Sequence, residues 1–161
     1  MKVAIFSDTH DNTENILKLI RLLNKIKIDY AFFCGDICSP FSIELFKNLE
    51  VNKLFVVFGN NDGDKLSLIK HMPKNAKYFN YFGEVKINNK KIFITHFDFV
   101  GKAVTLTNKY DFVFFGHSHK KEVIESSKTL AINPGEILGY FGKPSFCILN
   151  LESKEYSFYN I

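Results

Sequence analysis

The sequence is short of the features that mark disulfide-rich, membrane-spanning and nucleic-acid-binding proteins. It has no tryptophan, only three cysteines, and no run of five or more lysines and arginines. An odd number of cysteines without regular spacing does not suggest a disulfide framework. No apolar stretch approaches the length of a membrane span. The mild net charge of +4 gives little support for nucleic acid as the main partner.

The first residues enter an apolar strand at once, which leaves no room for a signal peptide. We therefore expect a cytoplasmic protein without a membrane partner. Apolar residues make up 46% and charged residues 24% of the 161 positions, with 18 phenylalanines. This is an ordinary globular composition, and the length predicts a single domain over residues 1–161 with a sizeable core.

The first half of the chain alternates between apolar strands and amphipathic helices. Strands are predicted at 1–7, 30–34 and 54–58, and helices at 12–27, 40–49 and 64–71. Asp11 is a candidate N-cap for the first helix, and Ser39 followed by Pro40 is a typical start for the second. Strands linked by helices are expected to run parallel.

The second half is rich in strands. A hairpin is predicted with arms 84–87 and 91–95, then a short helix at 102–109, and then strands at 112–115, 122–125, 129–132, 145–151 and 155–159. Several of these strands are apolar throughout, which indicates burial on both faces. We expect two sheets packed face to face, with helices covering their outer surfaces.

Metal-capable side chains follow five of these strands, at or just past their C-terminal ends. They are Asp8, His10, Asp36, Asn60, His96, His117 and His119. A single aspartate after a strand is explained by turn formation alone, but five strands ending in this way have no such simple explanation. In α/β folds, ligands bind outside the carboxyl ends of strands. The seven side chains are therefore predicted to converge on one rim.

Seven ligands exceed what one metal ion needs, so the set predicts two ions that share a carboxylate. Two-metal centres serve phosphatases and nucleases, where they support in-line displacement at phosphorus. Mixed nitrogen and oxygen ligands suit Mn, Fe, Zn, Co or Ni better than Mg or Ca. A structural zinc site is disfavoured because such sites are rich in thiolates.

The motifs Ser-Asp-Thr-His, Cys-Gly-Asp, Gly-Asn-Asn-Asp, Thr-His and Gly-His-Ser-His occur in this order. In this the chain resembles the calcineurin-like metallophosphoesterases, and more closely their small single-domain phosphodiesterases of bacteria and archaea. The resemblance implies a mixed α/β fold, a four-layer α-β-β-α sandwich of two mixed sheets. It also implies that one metal is held by Asp8, His10, Asp36 and His119, and the other by Asp36, Asn60, His96 and His117, with Asp36 bridging.

The same resemblance implies a phosphodiesterase that hydrolyses a small phosphodiester by in-line attack of a metal-bridging hydroxide. The residues expected to take part in catalysis are Asp36, Asn60 and Asn61. Residues 133–136 are predicted to form a turn, and their Asn-Pro-Gly sequence also resembles the subfamily. Backbone groups near residues 133–135 are expected to orient and stabilise the phosphate. The expected cofactors are two divalent transition-metal ions, Mn²⁺ before Ni²⁺, Co²⁺, Zn²⁺ or Fe²⁺. The sequence leaves open whether the protein forms a homo-oligomer.

The chain departs from the family pattern at two places. Many members carry a histidine where this chain has Asn61, and an amide cannot act as a general acid near neutral pH. We therefore predict slow turnover and a preference for good leaving groups. After His96 the subfamily usually has Gly-His, whereas this chain has Phe97-Asp98. Asp98 is interpreted either as added negative charge near the metals or as an ordinary loop acid.

Two other functions compete with this one. A retromer subunit of the same fold is a protein-binding scaffold that has lost key active-site residues, whereas all seven ligands are present here. A nuclease acting on long nucleic acid would need a basic track that this chain lacks. Of the neighbouring residues, Asp62 is expected to orient a ligand or to form a turn. Phe97, Phe99 and Val100 are expected to pack in the core, with a pocket wall or a subunit contact as alternatives.

Overall fold

Eleven strands and four α-helices make up the computed structural model, which describes residues 1–161. The strands are β1 (Lys2–Phe6), β2 (Tyr30–Phe33), β3 (Lys53–Val56), β4 (Ala76–Tyr78), β5 (Phe82–Ile87), β6 (Lys90–Thr95), β7 (Phe112–Phe114), β8 (Lys121–Glu125), β9 (Leu130–Pro134), β10 (Ser145–Asn150) and β11 (Tyr156–Asn160). The helices are α1 (Thr13–Ile26), α2 (Pro40–Leu45), α3 (Lys65–His71) and α4 (Asp98–Leu106), with a 3₁₀ turn at Phe46–Asn48.

The strands form two mixed sheets. The first has the order β11-β10-β1-β2-β3-β4, and the second has the order β5-β6-β7-β9-β8. From β1 to β4 the pairing is parallel, as the helical connections predict, whereas β10 lies antiparallel beside β1. Val3 is opposite Tyr30 on one side and Leu149 on the other. The first strand is thus interior to its sheet.

The alternation of side chains along the strands divides the interior into layers. In β1, Val3 and Ile5 face a core between the two sheets, which Phe32, Ile94 and Phe114 share. Ala4 and Phe6 face the opposite way, into a core that the first three helices cover. The apolar stripe of α1 fills that core with four buried side chains, Ile16, Leu19, Ile20 and Leu23.

The outer face of the second sheet is covered by α4. Phe93, Val113 and Phe115 form a small buried cluster there, and Val100 and Val104 of the helix pack on it. Helices therefore flank both sheets, and the predicted four-layer sandwich is confirmed. Val100 packs on this cluster, as expected, whereas Phe99 is 65% exposed, so the expectation that it packs in the core is wrong.

The start of α1 differs from the prediction. The N-cap is Asn12, whose side-chain oxygen accepts a hydrogen bond from the backbone N–H of Asn15 at 3.1 Å. The carboxylate of Asp11 instead accepts hydrogen bonds from the Ser39 backbone N–H and the Ser42 hydroxyl. Asp11 therefore ties the turn after β1 to the start of α2.

Two elements of the structure differ from those that the sequence predicts. The helix predicted at 102–109 begins at Asp98 and ends at Leu106, and the short strand β4 was not predicted. In β4 the side chains of Lys77 and Tyr78 are exposed, so no apolar run marks it. None of the helices combines the length and the apolar character that crossing a membrane requires.

Candidate metal centre

The seven predicted ligands lie together at one rim of the sandwich. Asp8, His10, Asp36 and Asn60 follow strands of the first sheet, whereas His96, His117 and His119 follow strands of the second. The rim therefore joins the two sheets at the carboxyl ends of their strands, where ligands of α/β folds gather.

Close contacts link the seven side chains in two groups. In the first group, Asp8 Oδ1 lies 3.4 Å from His119 Nε2 and 3.8 Å from His10 Nε2. In the second group, His96 Nε2 lies 3.4 Å from Asp36 Oδ2, 3.0 Å from Asn60 Oδ1 and 3.2 Å from His117 Nδ1.

The two groups meet at Asp36. Its Oδ2 lies 3.4 Å from His10 Nε2 and also 3.4 Å from His96 Nε2. Two sets of three residues have ligand atoms within 4.8 Å of one another, namely Asp8, His10 and His119, and Asp8, Asp36 and His96. The carboxylates of Asp8 and Asp36 therefore lie between the imidazoles of the rim.

The atoms of the rim suit a divalent transition-metal ion. Asp8 Oδ1 and His10 Nε2 are buried and have no hydrogen-bond partner, although buried polar atoms are nearly always paired. Both point at the other ligands, and carboxylate oxygen with imidazole nitrogen is a donor set that such ions prefer. The residues present thus fit the metal ions that the motifs imply.

Hydrogen bonds to the far side of three imidazoles direct their Nε2 atoms toward the rim. His96 Nδ1 donates to the carbonyl oxygen of Cys34 at 2.8 Å, and His119 Nδ1 donates to the Glu136 carboxylate at 2.7 Å. His10 Nδ1 lies 3.6 Å from the sulfur of Cys38. Partners of this kind fix the tautomer and the orientation of metal-binding histidines.

The backbone is strained at most of the ligands. Asp8, His10, Asp36, His117 and His119 have φ values of 55°, 39°, 58°, 70° and 60°. Non-glycine residues seldom adopt this left-handed conformation, and they keep it only where the surroundings impose it. Clustering of such residues is typical of functional sites, and here it turns successive side chains toward one point.

Glycines let the backbone approach the carboxylates closely. A Cβ atom on Gly59 would lie 2.1 Å from Asp36 Oδ1, and one on Gly116 would lie 2.7 Å from Asp8 Oδ2. Any side chain at these positions would displace a predicted ligand. The glycines of the Gly-Asn-Asn-Asp and Gly-His-Ser-His motifs therefore have a steric role.

Asp62 organises the loops of the first sheet. Its carboxylate accepts hydrogen bonds from the backbone N–H groups of Asp36, Ile37, Cys38 and Gly59, at 2.7–3.0 Å. The hydrogen bonds of this carboxylate therefore hold the backbone around Asp36, and it contacts none of the predicted histidine ligands.

The ionisation of Asp8 and His10 is mutually dependent. Burial would raise the pKa of Asp8, but the attraction of its carboxylate to the His10 imidazole and the charges of the neighbouring histidines outweigh it, so that this pKa is lowered. The nearby Asp8 carboxylate, helped by Cys38, raises the pKa of His10 to about 10. Burial raises the pKa of the Cys34 thiol well above its ordinary value, so this thiol stays protonated.

Three residues with expected roles near the phosphate have other contacts. The Asn61 side chain donates to Asp36 Oδ2 at 2.8 Å. The Asn133 side chain donates to the carbonyl oxygen of Gly116 at 2.8 Å, and its oxygen accepts from the Gly135 N–H. That N–H is therefore not free for a phosphate, contrary to our expectation that the Asn-Pro-Gly backbone contacts the substrate. Asn133 instead fixes the loop of His117 and His119.

The departure after His96 forms the start of α4. Asp98 lies in the first turn of that helix, where a carboxylate is favoured by the helix dipole, and it faces Lys102 at 3.8 Å. This supports its interpretation as an ordinary acid. The ring of Phe97 lies beside the imidazoles of His96 and His117, with centroids 5.4 Å and 5.7 Å away. Phe97 therefore lines the rim.

Sequence reasoning missed two residues that contact the ligands, Cys38 and Glu136. Glu136 is 1% exposed, follows the Asn-Pro-Gly motif and lies 17 positions from its partner His119. The available signal was an acid two positions after the end of β9, a strand of buried residues. It was interpreted as part of a turn because the pairing depends on how β8 folds back on β9.

Comparison with known proteins agrees with the geometry of this rim. The sequence profile of the calcineurin-like phosphoesterase superfamily domain matches residues 1–154. Phosphodiesterase MJ0936 of Methanocaldococcus jannaschii is 40% identical over 162 residues, which cover 97% of this chain and 96% of that protein.

Solved structures share the fold over the whole chain. A structure described as a novel archaeal phosphodiesterase superposes with a TM-score of 0.92 at 36% identity, with 100% of both chains covered. Vps29 of Entamoeba histolytica in complex with zinc superposes with a TM-score of 0.71 at 21% identity, covering 99% of this chain and 91% of its own. The second likeness shows the fold alone.

Proposed function

Because the chain belongs to the calcineurin-like phosphoesterase superfamily, we propose that it hydrolyses a small phosphodiester with two divalent metal ions bound at the rim. The observation that carries this proposal is the convergence of seven metal-capable side chains from five strands, among them two buried atoms without hydrogen-bond partners. Such ions, when bound, polarise phosphoryl oxygens and lower the pKa of water toward neutrality.

We propose the following division of the ligands. Asp8, His10, Asp36 and His119 hold one ion, and Asp36, Asn60, His96 and His117 hold the other. The equal distances of 3.4 Å from Asp36 Oδ2 to His10 and His96 support a bridging role for Asp36. The mixed nitrogen and oxygen donors favour Mn²⁺, with Ni²⁺, Co²⁺, Zn²⁺ and Fe²⁺ as alternatives.

The roles of Asn60 and Asn61 follow from their contacts. The Asn60 amide oxygen lies 3.0 Å from His96 Nε2, which leaves its amide N–H₂ able to donate to a phosphate oxygen. Asn61 donates from both its backbone and its side chain to Asp36, at 2.9 Å and 2.8 Å. We assign Asn61 the positioning of the bridging carboxylate and no proton transfer, since an amide has no titration near neutral pH.

The proposal extends to the organisation of the protein. We propose that residues 1–161 form one domain, because the predicted ligands come from both sheets and neither sheet alone completes the rim. A cytoplasmic location is supported by three free cysteines, of which Cys34 and Cys147 are buried. The scaffold function is disfavoured because all seven ligands are present. A nucleic-acid substrate is disfavoured because the sequence contains no run of basic residues.

The test is reconstitution with metal. The protein is stripped with a chelator, reloaded with Mn²⁺, Ni²⁺, Co²⁺, Zn²⁺ or Mg²⁺, and assayed on an aryl phosphodiester and an aryl phosphomonoester. We expect diester hydrolysis with the transition metals, and none in an Asp36→Ala variant. Absence of turnover on both esters at full metal loading would overturn the proposal and favour the scaffold function.

A further inference from the structure

Two aromatic side chains stand exposed beside the metal centre. Tyr140 and Phe141, in the loop between β9 and β10, are 77% and 70% exposed. The Phe141 ring lies edge-to-face on the His119 imidazole, with centroids 5.2 Å apart, and Tyr140 packs on Phe141 at 4.9 Å. His119 in turn lies 5.2 Å from the ring of His10. The aromatic pair therefore borders the row of predicted ligands.

The beginning of this loop is attached to the turn after β1 that carries Asp8. The N–H groups of Ile137 and Leu138 donate to the carbonyl oxygens of Ser7 and Asp8, at 3.0 Å and 2.9 Å. The side-chain amide of Asn12 donates to the Leu138 carbonyl at 2.9 Å. The loop thus leaves β9 in a fixed position relative to the ligands of the first sheet.

A buried carboxylate attaches the middle of the loop to a ligand of the second sheet. One oxygen of Glu136 accepts from His119 Nδ1 at 2.7 Å. Its other oxygen accepts from the backbone N–H groups of Phe141 and Gly142, at 2.6 Å and 2.9 Å. The same side chain therefore orients His119 and fixes the backbone of Phe141.

The two rings are exposed although the backbone that carries them is fixed by hydrogen bonds. Large apolar side chains contribute to folding when they are buried, whereas Tyr140 and Phe141 face solvent on a backbone held by several hydrogen bonds. Exposed aromatic rings on a fixed backbone are typical of binding sites, because little conformational freedom is lost when a partner binds. A phosphate at the ligand row would carry its ester substituents toward the walls of the rim, and Phe141 forms one of those walls.

We propose that Phe141, with Tyr140 beside it, is the wall of a subsite for an aromatic substituent of the phosphodiester substrate. Glu136 is the positioning residue that holds this wall against His119. The inference rests on the proposed phosphodiesterase activity and adds the class of substrate, a diester with at least one planar aromatic group.

A pair of non-hydrolysable anions tests the subsite without catalysis. Diphenylphosphinate and dimethylphosphinate carry the same charged group and differ in their substituents. Titration calorimetry on the Mn²⁺-loaded protein is expected to show tighter binding of the diphenyl compound. Phe141→Ala should weaken that compound about three- to tenfold, the range of one aromatic contact, and leave the dimethyl compound unchanged.

The matched control is Tyr156→Ala. Tyr156 is a partly exposed aromatic residue of β11 that lies opposite Leu149, at the end of the sheet away from the rim. This variant should keep the wild-type preference. Equal affinities of the wild type for the two anions, or an unchanged preference in Phe141→Ala, would overturn the subsite. An unchanged preference together with a loss of oligomer in sedimentation would assign the loop to a subunit contact instead.

The positioning role of Glu136 has its own readout. Glu136→Gln should lower the affinity for one of two Mn²⁺ ions by about 10- to 100-fold, as expected when the partner of a ligating histidine is changed. It should also reduce the preference for the diphenyl compound. Glu125→Gln, at an exposed position of β8, is the control. Metal affinity and preference equal to those of the control would contradict the assignment.

Hydrolysis separates this inference from the function on which it rests. A preference for the diphenyl compound that Phe141→Ala removes, without turnover of any aryl diester, would overturn the hydrolytic function and keep the subsite as a binding site. Metal-dependent turnover without that preference would keep the function and overturn the subsite.

Discussion

At the scale of single residues, the rim balances opposite charges in a buried space. Asp8 is fully buried and its pKa is lowered, whereas the pKa of His10 is raised to about 10. Without metal, the proton on His10 therefore stabilises the buried carboxylate. A metal ion must displace that proton, because only neutral imidazole is a ligand. Proton and metal thus compete for one nitrogen.

This competition predicts two pH dependences of opposite sign. Because the pKa of His10 rises from 6.5 to about 10 on folding, the stability it gives the metal-free protein is fully present below pH 6.5 and is lost as the pH rises through 10. Urea unfolding in chelator should show this as a stability advantage over His10→Asn that shrinks with pH. Mn²⁺ affinity, measured by calorimetry, should increase over the same range, and a flat profile would contradict the assignment.

Asn61 leads to a prediction about leaving groups. Its side chain donates to Asp36 and supplies no acid for the departing oxygen. The rates for methyl aryl phosphodiesters should therefore fall steeply as the pKa of the leaving phenol rises. Asn61→His should accelerate the poorest leaving groups most, by up to about 100-fold, the lower range for general acid catalysis. A series of equal rates in the wild type would refute this explanation.

At the scale of the elements, two predicted ligands, Asp36 and Asp8, lie against loops whose backbone passes very close to their carboxylates. The loops after β2 and β3 are joined by Asp62, which binds four backbone N–H groups. The loop after β3 has no room for a side chain at Gly59. A Cβ atom added to Gly63, four positions further on, would meet no atom within 4 Å. The two glycines make a matched pair.

We predict that Gly59→Ala displaces Asp36, because its Cβ would lie 2.1 Å from Asp36 Oδ1 and 2.8 Å from the Asp36 nitrogen. Mn²⁺ affinity should fall by at least about 10-fold, the smaller of the effects known for disturbed ligands. Gly63→Ala should bind metal as the wild type does. Calorimetry measures both, and equal affinities in the two variants would exclude the steric role.

The elements also show where sequence patterns suffice. Runs such as 30–34 and 112–115 predicted buried strands because every side chain in them is apolar, and both form strands. The start of α4 was missed because Phe97 and Asp98 were interpreted as a loop after His96, whereas the helix begins directly there. The polar strand β4 is held by pairing with β3, which a local pattern does not record.

At the scale of the whole molecule, the ligands of the rim connect two separate sheets. The order of the motifs along the chain predicted this convergence, because strand ends gather at one side of a sheet. The pairing of Glu136 with His119 was not predictable in the same way. It depends on the register of β8 against β9, in which Glu122 is opposite Asn133.

Metal binding should therefore stabilise the complete fold. An ion that binds only the folded state at 100 times its Kd adds about 2.7 kcal/mol, which corresponds to a rise in Tm of about 5–10 °C for a chain of this size. Thermal unfolding with Mn²⁺ and with chelator measures the difference. Asp36→Ala should show no response to Mn²⁺, and a similar response in both proteins would place the stabilising ions elsewhere.

The position of β1 has a consequence for how the protein is made. Its neighbours in the sheet are β2, which follows within 30 residues, and β10, which begins only at Ser145. During synthesis on the ribosome, β1 can pair with β2 early, but its other edge stays open until most of the chain has emerged. An open edge invites pairing with other chains. A strand that is translated long after β1 therefore protects this edge of it.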